Sequence, residues 1–317
     1  MPDPFTLLAG TANRPLAEAI ARELGCQLAR LRDERFPDGE VHVRLEESVR
    51  GREVFLIQPT SPPVNDHLVE LLAMADACRR ASAERITAIL PYFGYARADK
   101  REGSREPVMA RVAADLMQTV GIGHVVAVDL HVPQLEGFFR IPVDNLTAIP
   151  LLADAAHHLL DGETVLVAPD AGRVKMATRY AEYLHIPLIV LHKRRTSGQE
   201  TAVTHIVGDV RGRICLIVDD MVSTGGTIAE SARVLREAGA RDDVWVAATH
   251  GLFLDDALAR MRSAGVAGVI TTDSVRRGDA GGAGDAGGGM VTVVSVAPML
   301  ATAIGRFVAD GSLGGLR

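Results

Sequence analysis

Residues 214–227 read Ile-Cys-Leu-Ile-Val-Asp-Asp-Met-Val-Ser-Thr-Gly-Gly-Thr. The run Ile214–Val218 is apolar throughout, as a parallel strand covered on both faces requires. Two adjacent carboxylates, Asp219 and Asp220, then fall at the strand's carboxyl end, where open α/β sheets gather their ligands. Glycines 225 and 226 permit a tight turn whose backbone amides converge, and Ser223, Thr224 and Thr227 add hydroxyl donors. The amphipathic stretch 226–239 is expected as a helix, and its unpaired first amides point at the same loop. A ligand with hydroxyls at one end and a phosphate at the other suits this arrangement. The Gly-Lys-Ser/Thr ending of a P-loop is missing, as is a Gly-x-Gly-x-x-Gly dinucleotide turn.

Outward from this segment, short apolar runs alternate with longer amphipathic ones, the pattern of strands joined by crossover helices. Strands are expected at 5–10, 53–58, 85–93 and 124–130, with helices at 15–25, 67–81 and 106–121, the last carrying Pro107 in its first turn. A second set places strands at 164–170, 187–193, 213–220, 243–250 and 266–273, with helices at 174–185, 226–239 and 254–265. The two sets align as copies. Residues 51–66 match 212–227, and 6–24 match 164–184, so two similar domains are expected, 1–148 and 149–317. In the first copy Gln58 and Pro59 stand where the second has Asp219 and Asp220, and 62–66 lacks the glycines. Only the second copy carries the acidic pair and the loop. The tract 278–289, rich in glycine without cation or hydroxyl, reads as a flexible surface loop, followed by a strand at 290–296 and a final helix.

With 317 residues and 47% hydrophobic content, the chain can fill two cores. A net charge of −6 and only 4% aromatic residues argue against a nucleic-acid partner. Cys26, Cys78 and Cys215 lack zinc-ligand or redox-pair spacing and are expected to be buried. No apolar run reaches membrane length and no secretory pattern opens the sequence, so a cytoplasmic protein without a membrane partner is expected.

Further candidates lie at other strand ends. His192-Lys193-Arg194-Arg195 can be a solvated basic turn or an arm that meets charge developing on a transferred phosphoryl group. His131 and Asp170 supply an imidazole and a carboxylate that could hold magnesium with phosphates as further ligands. Phe36-Pro37-Asp38-Gly39-Glu40 places an aromatic ring beside two carboxylates on a turn. That turn either buries Phe36 or offers it to a purine. Arg97, Asp99, Lys100 and Arg101 follow the strand around 85–93, where arginine's planar fork suits phosphate.

Taken in order, LLAGTANRPLA, RFPDGEVHVRLEESVRGREVFLIQPT, ILPYFGYARADK, VDLHVPQLEGFFRIPVDNL, KRR, VDDMVSTGGT and VVSVAP resemble the ribose-phosphate pyrophosphokinase family over nearly the whole chain. The resemblance implies an α/β fold of two phosphoribosyltransferase-like domains, each with a mostly parallel sheet flanked by helices. It implies diphosphoryl transfer from ATP to D-ribose 5-phosphate with Mg2+, by a homo-oligomer in which a hexamer is favoured over a dimer or tetramer. The first domain would contribute the ATP site and the second would bind the sugar phosphate. By residue, Phe36, Asp38, Gly39, Glu40, Arg97, Asp99 and Lys100 would bind ATP, with the adenine reached across a subunit interface. Asp219 and Asp220 would take the ribose hydroxyls, and Ser223, Thr224, Gly225, Gly226 and Thr227 the 5-phosphate. Lys193 and Arg195 would be catalytic, with Arg195 also at the sugar phosphate, and His131 and Asp170 would take the metal positions. The chain departs from the family pattern at Ala98, His192 and Ser223 and in the Asp-Ala-Gly-Arg of 170–173, where Asp-x-Gly-Gly is frequent. A nucleobase phosphoribosyltransferase would share 219–227 but needs only one such domain. A noncatalytic homologue would not need Lys193 and Arg195.

Overall fold

The computed structural model describes residues 5–159, 162–197, 200–277 and 289–317. The expectation for the glycine tract at 278–289 falls, up to residue 288, outside the described residues. The chain divides into two compact units, one containing the sequence through Thr147 with Ser274–Arg276 and Ser295–Arg317, the other Ala148–Asp273 and Arg277–Val294.

The first unit begins with β1 (Phe5–Ala9), α1 (Arg14–Glu23), β2 (Leu31–Arg35), β3 (Val41–Leu45) and β4 (Glu53–Ile57). It continues with α2 (Val64–Arg80), β5 (Arg85–Leu90), α3 (Met109–Thr119), β6 (His124–Val128) and β7 (Val143–Leu146). Five strands form one parallel sheet in the order β1-β4-β5-β6-β7, while β2 and β3 pair antiparallel as a separate ribbon. Local chemistry sets the helix ends. Asn13 caps α1, its side chain accepting from Leu16 N at 3.3 Å, and Leu16, Ala17, Ile20 and Ala21 form the buried stripe. Helix α3 starts three residues later than expected from 106, because Glu106 instead accepts from Glu102 N and Gly103 N at 2.9 and 3.0 Å and closes a turn of its own.

The second unit holds α4 (Ile149–Ala156), β8 (Thr164–Ala168), α5 (Val174–Leu184), β9 (Leu188–Ser197) and β10 (Glu200–Val207). Then follow β11 (Ile214–Val222), α6 (Gly226–Glu237), β12 (Val244–Gly251), α7 (Ala257–Ser263), β13 (Val266–Thr272) and β14 (Val291–Val294). Its seven-stranded sheet has the order β10-β9-β8-β11-β12-β13-β14, parallel except for the β9–β10 pair. The series β8-β11-β12-β13-β14 repeats β1-β4-β5-β6-β7 strand for strand, so the sequence repeat is a repeat of topology. A hairpin is inserted at the same place in both copies, β2–β3 and β9–β10.

The last helix, α8 (Ala297–Val308), departs from the expected span 149–317, because Ser295–Arg317 rejoins the first unit. Its buried Met299, Leu300, Ala303 and Ile304 need an apolar partner, and helix α1 supplies one. Phe307 lies edge-on to Phe55 of β4 at 6.2 Å and to His124 of β6 at 4.5 Å. Cys78 and Cys215 are buried, and burial pushes both thiols up to about 12. Cys26 is only half-buried, since it follows α1 at a turn rather than lying within the packed stripe. Among the described residues no helix is long and apolar enough to cross a membrane.

Candidate active site

Strand β11 is buried along its whole length, and it outruns its neighbour β8, whose ladder with it ends at Ile217↔Val167. Asp219 and Asp220 therefore sit two to three residues inside the end of β11, over the edge that β8 has vacated. Both are buried, at 8% and 3% exposure. Successive side chains on an extended strand point to opposite faces. A single guanidinium nevertheless joins Asp219 and Asp220: Arg173 Nε is 2.8 Å from Asp219 Oδ1, and its Nη2 is 2.9 Å from Asp220 Oδ1. Asp219 Oδ1 also accepts from Asp220 N at 2.9 Å. Burial, followed by the Asp220 charge, raises the Asp219 carboxyl well above the ordinary carboxylate range, while Arg173 pulls it the other way. Burial also disfavours the Arg173 charge, and the carboxylates of Asp220, Asp219 and Asp170 more than restore it.

Arg173 reaches this position from a short 3-10 turn, Ala171–Arg173, between β8 and α5. Asp170 caps that turn, its Oδ1 accepting from Arg173 N at 3.2 Å. The sequence reading passed over Arg173 as a functional residue. Its signal was there in Asp-Ala-Gly-Arg: a cation in the connection beside a strand that ends in two carboxylates.

Beyond the pair, the loop turns at Gly225, whose φ of 72° is left-handed and which caps α6 without a side-chain hydrogen bond. A Cβ there would meet Ala257 O at 3.0 Å and Met261 Cγ at 3.1 Å, so only glycine fits both backbone and neighbours. Thr224, Gly226 and Thr227 are exposed and Ser223 half-buried, leaving hydroxyls and the first α6 amides open to solvent. Leu254 N donates to Ser223 O at 3.0 Å and the Arg260 guanidinium to Thr224 O, which ties the loop to α7 and its approach.

The corresponding place in the first unit is filled by the chain itself. Gln58 is fully buried, its Oε1 accepting from Ala12 N at 3.2 Å and its Nε2 donating to Glu70 Oε2 at 2.8 Å. Glu70 also accepts from Thr11 N and Thr11 Oγ1, both at 2.6 Å. A Cβ on Gly10 would lie 2.2 Å from Gln58 Oε1, so the packing leaves no room there even for a methyl group. The Glu70 carboxylate thus takes up the amide and hydroxyl of Thr11, in the connection that follows β1.

Asp33 of β2 belongs to the same network. Burial, then a hydrogen bond with Glu70, then the Glu70 charge push its carboxyl from 3.8 up to about 7. Because the folded value lies above the unfolded one, folding takes up a proton between those limits, and stability declines as pH rises through that window. Asp33→Asn is expected to raise the thermal midpoint, by an increment that grows from pH 4 to pH 7 and is flat above. Calorimetric scans across pH 4–8 check this, and an increment that shrank with pH would contradict it.

The remaining candidates lie on separate connections. Phe36, Asp38, Gly39 and Glu40 form the turn of the β2–β3 hairpin, closed by Phe36 N donating to Glu40 O at 2.9 Å and Glu40 N to Asp38 Oδ1 at 3.1 Å. Phe36 is 49% exposed, so the reading in which the turn buries its ring is overturned. Its ring lies 5.4 Å from that of His42. Arg97, Asp99 and Lys100 follow β5, with Arg97 and Lys100 exposed and Asp99 half-buried. His131 follows β6 in the first unit and Asp170 follows β8 in the second, each half-buried. Lys193 and Arg195 lie on the backbone of β9, opposite Val203 and Thr201 of β10, and what was expected of their side chains lies outside the described residues. Among the described residues, no three His, Cys, Asp or Glu side chains are grouped to hold a metal ion. Each of His131 and Asp170 offers a single donor group, which fits a cation that arrives with substrate phosphates better than one held by protein alone.

Residues 5–121 match the family model of the N-terminal domain of ribose phosphate pyrophosphokinase, and residues 195–316 match that of the phosphoribosyl synthetase-associated domain. The ribose-phosphate pyrophosphokinase of Corynebacterium efficiens is 45% identical over 97% of this chain and 94% of its own length. That of Rhodopirellula baltica is 43% identical over 97% and 96%. The crystal structure of phosphoribosylpyrophosphate synthetase from Mycobacterium smegmatis superposes with a TM-score of 0.89 at 41% identity, covering 98% of this chain and all of that one. Doubled topology, one open acidic-pair and glycine-loop site, and similarity along nearly the full length agree: the chain belongs to the ribose-phosphate pyrophosphokinase family.

Proposed function

We infer that the protein is a ribose-phosphate diphosphokinase, transferring the diphosphoryl group of ATP to the 1-hydroxyl of D-ribose 5-phosphate to give 5-phospho-α-D-ribose 1-diphosphate and AMP. The observation that carries this reading is the contrast between the two copies. The second presents a buried acidic pair beside an open glycine loop, and the first has closed that place with Glu70 and Gln58. One sugar-phosphate site per chain leaves the first copy's other connections for the nucleotide.

In this reading the 5-phosphate rests on Ser223, Thr224, Gly225, Gly226 and Thr227 at the start of α6, and the ribose hydroxyls donate to Asp219 and Asp220. ATP is held in the first domain by Phe36 against the base, Asp38, Gly39 and Glu40 at the exocyclic amine, and Arg97, Asp99 and Lys100 along the phosphates. The ribose O1 attacks the β-phosphorus in line. The bond from that phosphorus to the oxygen bridging the α- and β-phosphates breaks, its electron pair leaves on AMP, and the proton of the 1-hydroxyl is released to solvent. Such a transfer asks for positioning and charge compensation rather than covalent chemistry. Lys193 and Arg195 meet the charge that develops on the transferred group. His131 and Asp170 would hold Mg2+, which when bound neutralises phosphate charge. We further propose a homo-oligomer with a hexamer favoured, in which a second copy covers apolar surface such as Phe36, Val112 and Leu116, which are 49%, 41% and 42% exposed. We also propose a cytoplasmic location, the compartment that supplies ATP and sugar phosphates.

Purified protein with Mg2+, ATP and ribose 5-phosphate is expected to form AMP and the diphosphorylated sugar in equal amounts. Product only from a nucleobase and preformed diphosphorylated ribose would overturn the assignment.

A further inference from the structure

The backbone that follows β12 passes twice through the left-handed region without a glycine. Phe253 has a φ of 44° and Asp255 one of 52°, on either side of Leu254. For an aromatic residue this is an outlier; such conformations persist only where surrounding contacts outweigh their cost, and they cluster at functional sites. The contacts made here converge on one neighbour. Leu252 N and Phe253 N donate to Val222 O at 2.9 and 3.1 Å, Leu254 N donates to Ser223 O at 3.0 Å, and the Arg260 guanidinium donates to Thr224 O. Three successive carbonyls, from the end of β11 into the glycine loop, are thus held by residues 252–260.

A trans peptide is planar, so its carbonyl and its N–H point in opposite directions. The carbonyls of Val222, Ser223 and Thr224 share their peptides with the N–H groups of Ser223, Thr224 and Gly225. With the carbonyls turned toward 252–260, those three N–H groups are turned to the other side of the loop, and donors aligned in this way are what an anion needs. The Phe253 ring is what keeps this segment in place. It packs against the apolar core of the second unit, and the Arg277 guanidinium carbon lies 5.9 Å from its centroid. The ring also fills the space beside Gly251, where a Cβ would meet Phe253 Cε2 at 2.4 Å and Cζ at 2.8 Å. Gly251 is buried as the ladder partner of Val222, so a methyl group there would displace the ring.

Resting on the assignment of the 5-phosphate to residues 223–227, we propose that Phe253 is a positioning residue for the sugar phosphate. Its ring, seated beside Gly251, locks the backbone of 252–255, and that backbone holds the carbonyls of 222–224 so that the loop's amides face the phosphate. Without the ring, the left-handed backbone at 253 relaxes toward an ordinary conformation. The bonds to Val222 O and Ser223 O then lengthen, and the loop's peptides are free to rotate out of alignment.

The test is calorimetric titration of the full-length protein with ribose 5-phosphate and, separately, with ATP and Mg2+. In Phe253→Ala and in Gly251→Ala the affinity for ribose 5-phosphate is expected to fall about 10- to 100-fold, as for a lost hydrogen bond to a charged group. The affinity for ATP is expected to move less than about threefold. Both changes act through one seat, so the double variant is expected to bind ribose 5-phosphate no more weakly than the weaker single variant. Wild-type affinity in either single variant overturns the proposal, as do losses that multiply in the double variant. An equal loss for ATP also overturns it, because that marks general loosening of the fold. If Phe253→Ala does not fold, Phe253→Leu, which keeps an apolar side chain without the ring, decides by the same titrations. Failure of the wild type to make AMP would instead strike the functional assignment, since the titration reads sugar-phosphate binding whether or not diphosphoryl transfer follows.

Discussion

In Lys193→Ala, kcat is expected to fall by about 10³-fold, or ~4 kcal/mol of transition-state stabilisation, while affinity for ribose 5-phosphate stays within about threefold of wild type. The reasoning is electrostatic. Phosphoryl transfer spreads charge over the transferred group as the bond to the leaving nucleotide stretches, and a positioned ammonium gains interaction energy only as that charge appears. The ground-state sugar phosphate is held elsewhere, by the loop and the acidic pair. Single-turnover measurement of AMP formation, paired with calorimetric titration of the sugar phosphate, separates the two quantities. Near-normal turnover would remove Lys193 from the chemistry, and a parallel loss of sugar binding would make it a binding residue.

Gly225→Val is expected to weaken ribose 5-phosphate binding by about 100-fold, since a β-branched residue in the left-handed region costs roughly 1–3 kcal/mol before any clash is counted. The clash adds to it: the new Cβ would stand 3.0 Å from the Ala257 carbonyl, which α7 holds in place. The loop must then rotate, and amides that converge on one phosphate no longer do so. Gly212→Ala separates conformational cost from loop geometry. Gly212 has a similar φ of 69° but nothing within 4 Å of its Cβ position, so it carries backbone strain alone. Its ribose 5-phosphate affinity is expected to match wild type. Unchanged binding in Gly225→Val would remove the loop from phosphate recognition.

Much of the fold was legible because it rests on short-range rules. Ile214–Val218 reads as a covered parallel strand without knowledge of its neighbours, and α1 announces itself by Asn13, Pro15 and an apolar stripe. The β2–β3 hairpin was not legible as strands, and of the β9–β10 hairpin only β9 was, through the apolar run at 187–191. Residues 31–35 and 41–45 bury no position beyond halfway and carry charge in abundance, so no apolar run marks them; only their turn at 36–40 stood out. Chain excursions were hidden too. Helix α8 has a sound amphipathic pattern, but no pattern of its own says which unit will bury it.

The sequence by itself determined the doubled α/β topology, the single complete acidic-pair and glycine-loop segment, and through its motifs the family. These depend on hydrophobic period, turn chemistry and order along the chain, all of which are local. The tertiary structure alone decided the rest. It returned Ser295–Arg317 to the first unit, sealed the first copy's vestigial site with Glu70, and laid the Arg173 guanidinium across Asp219 and Asp220. Each joins residues far apart in sequence, and what enforces it is buried charge that must find its counter-charge and apolar surface that must find a partner, wherever along the chain these lie.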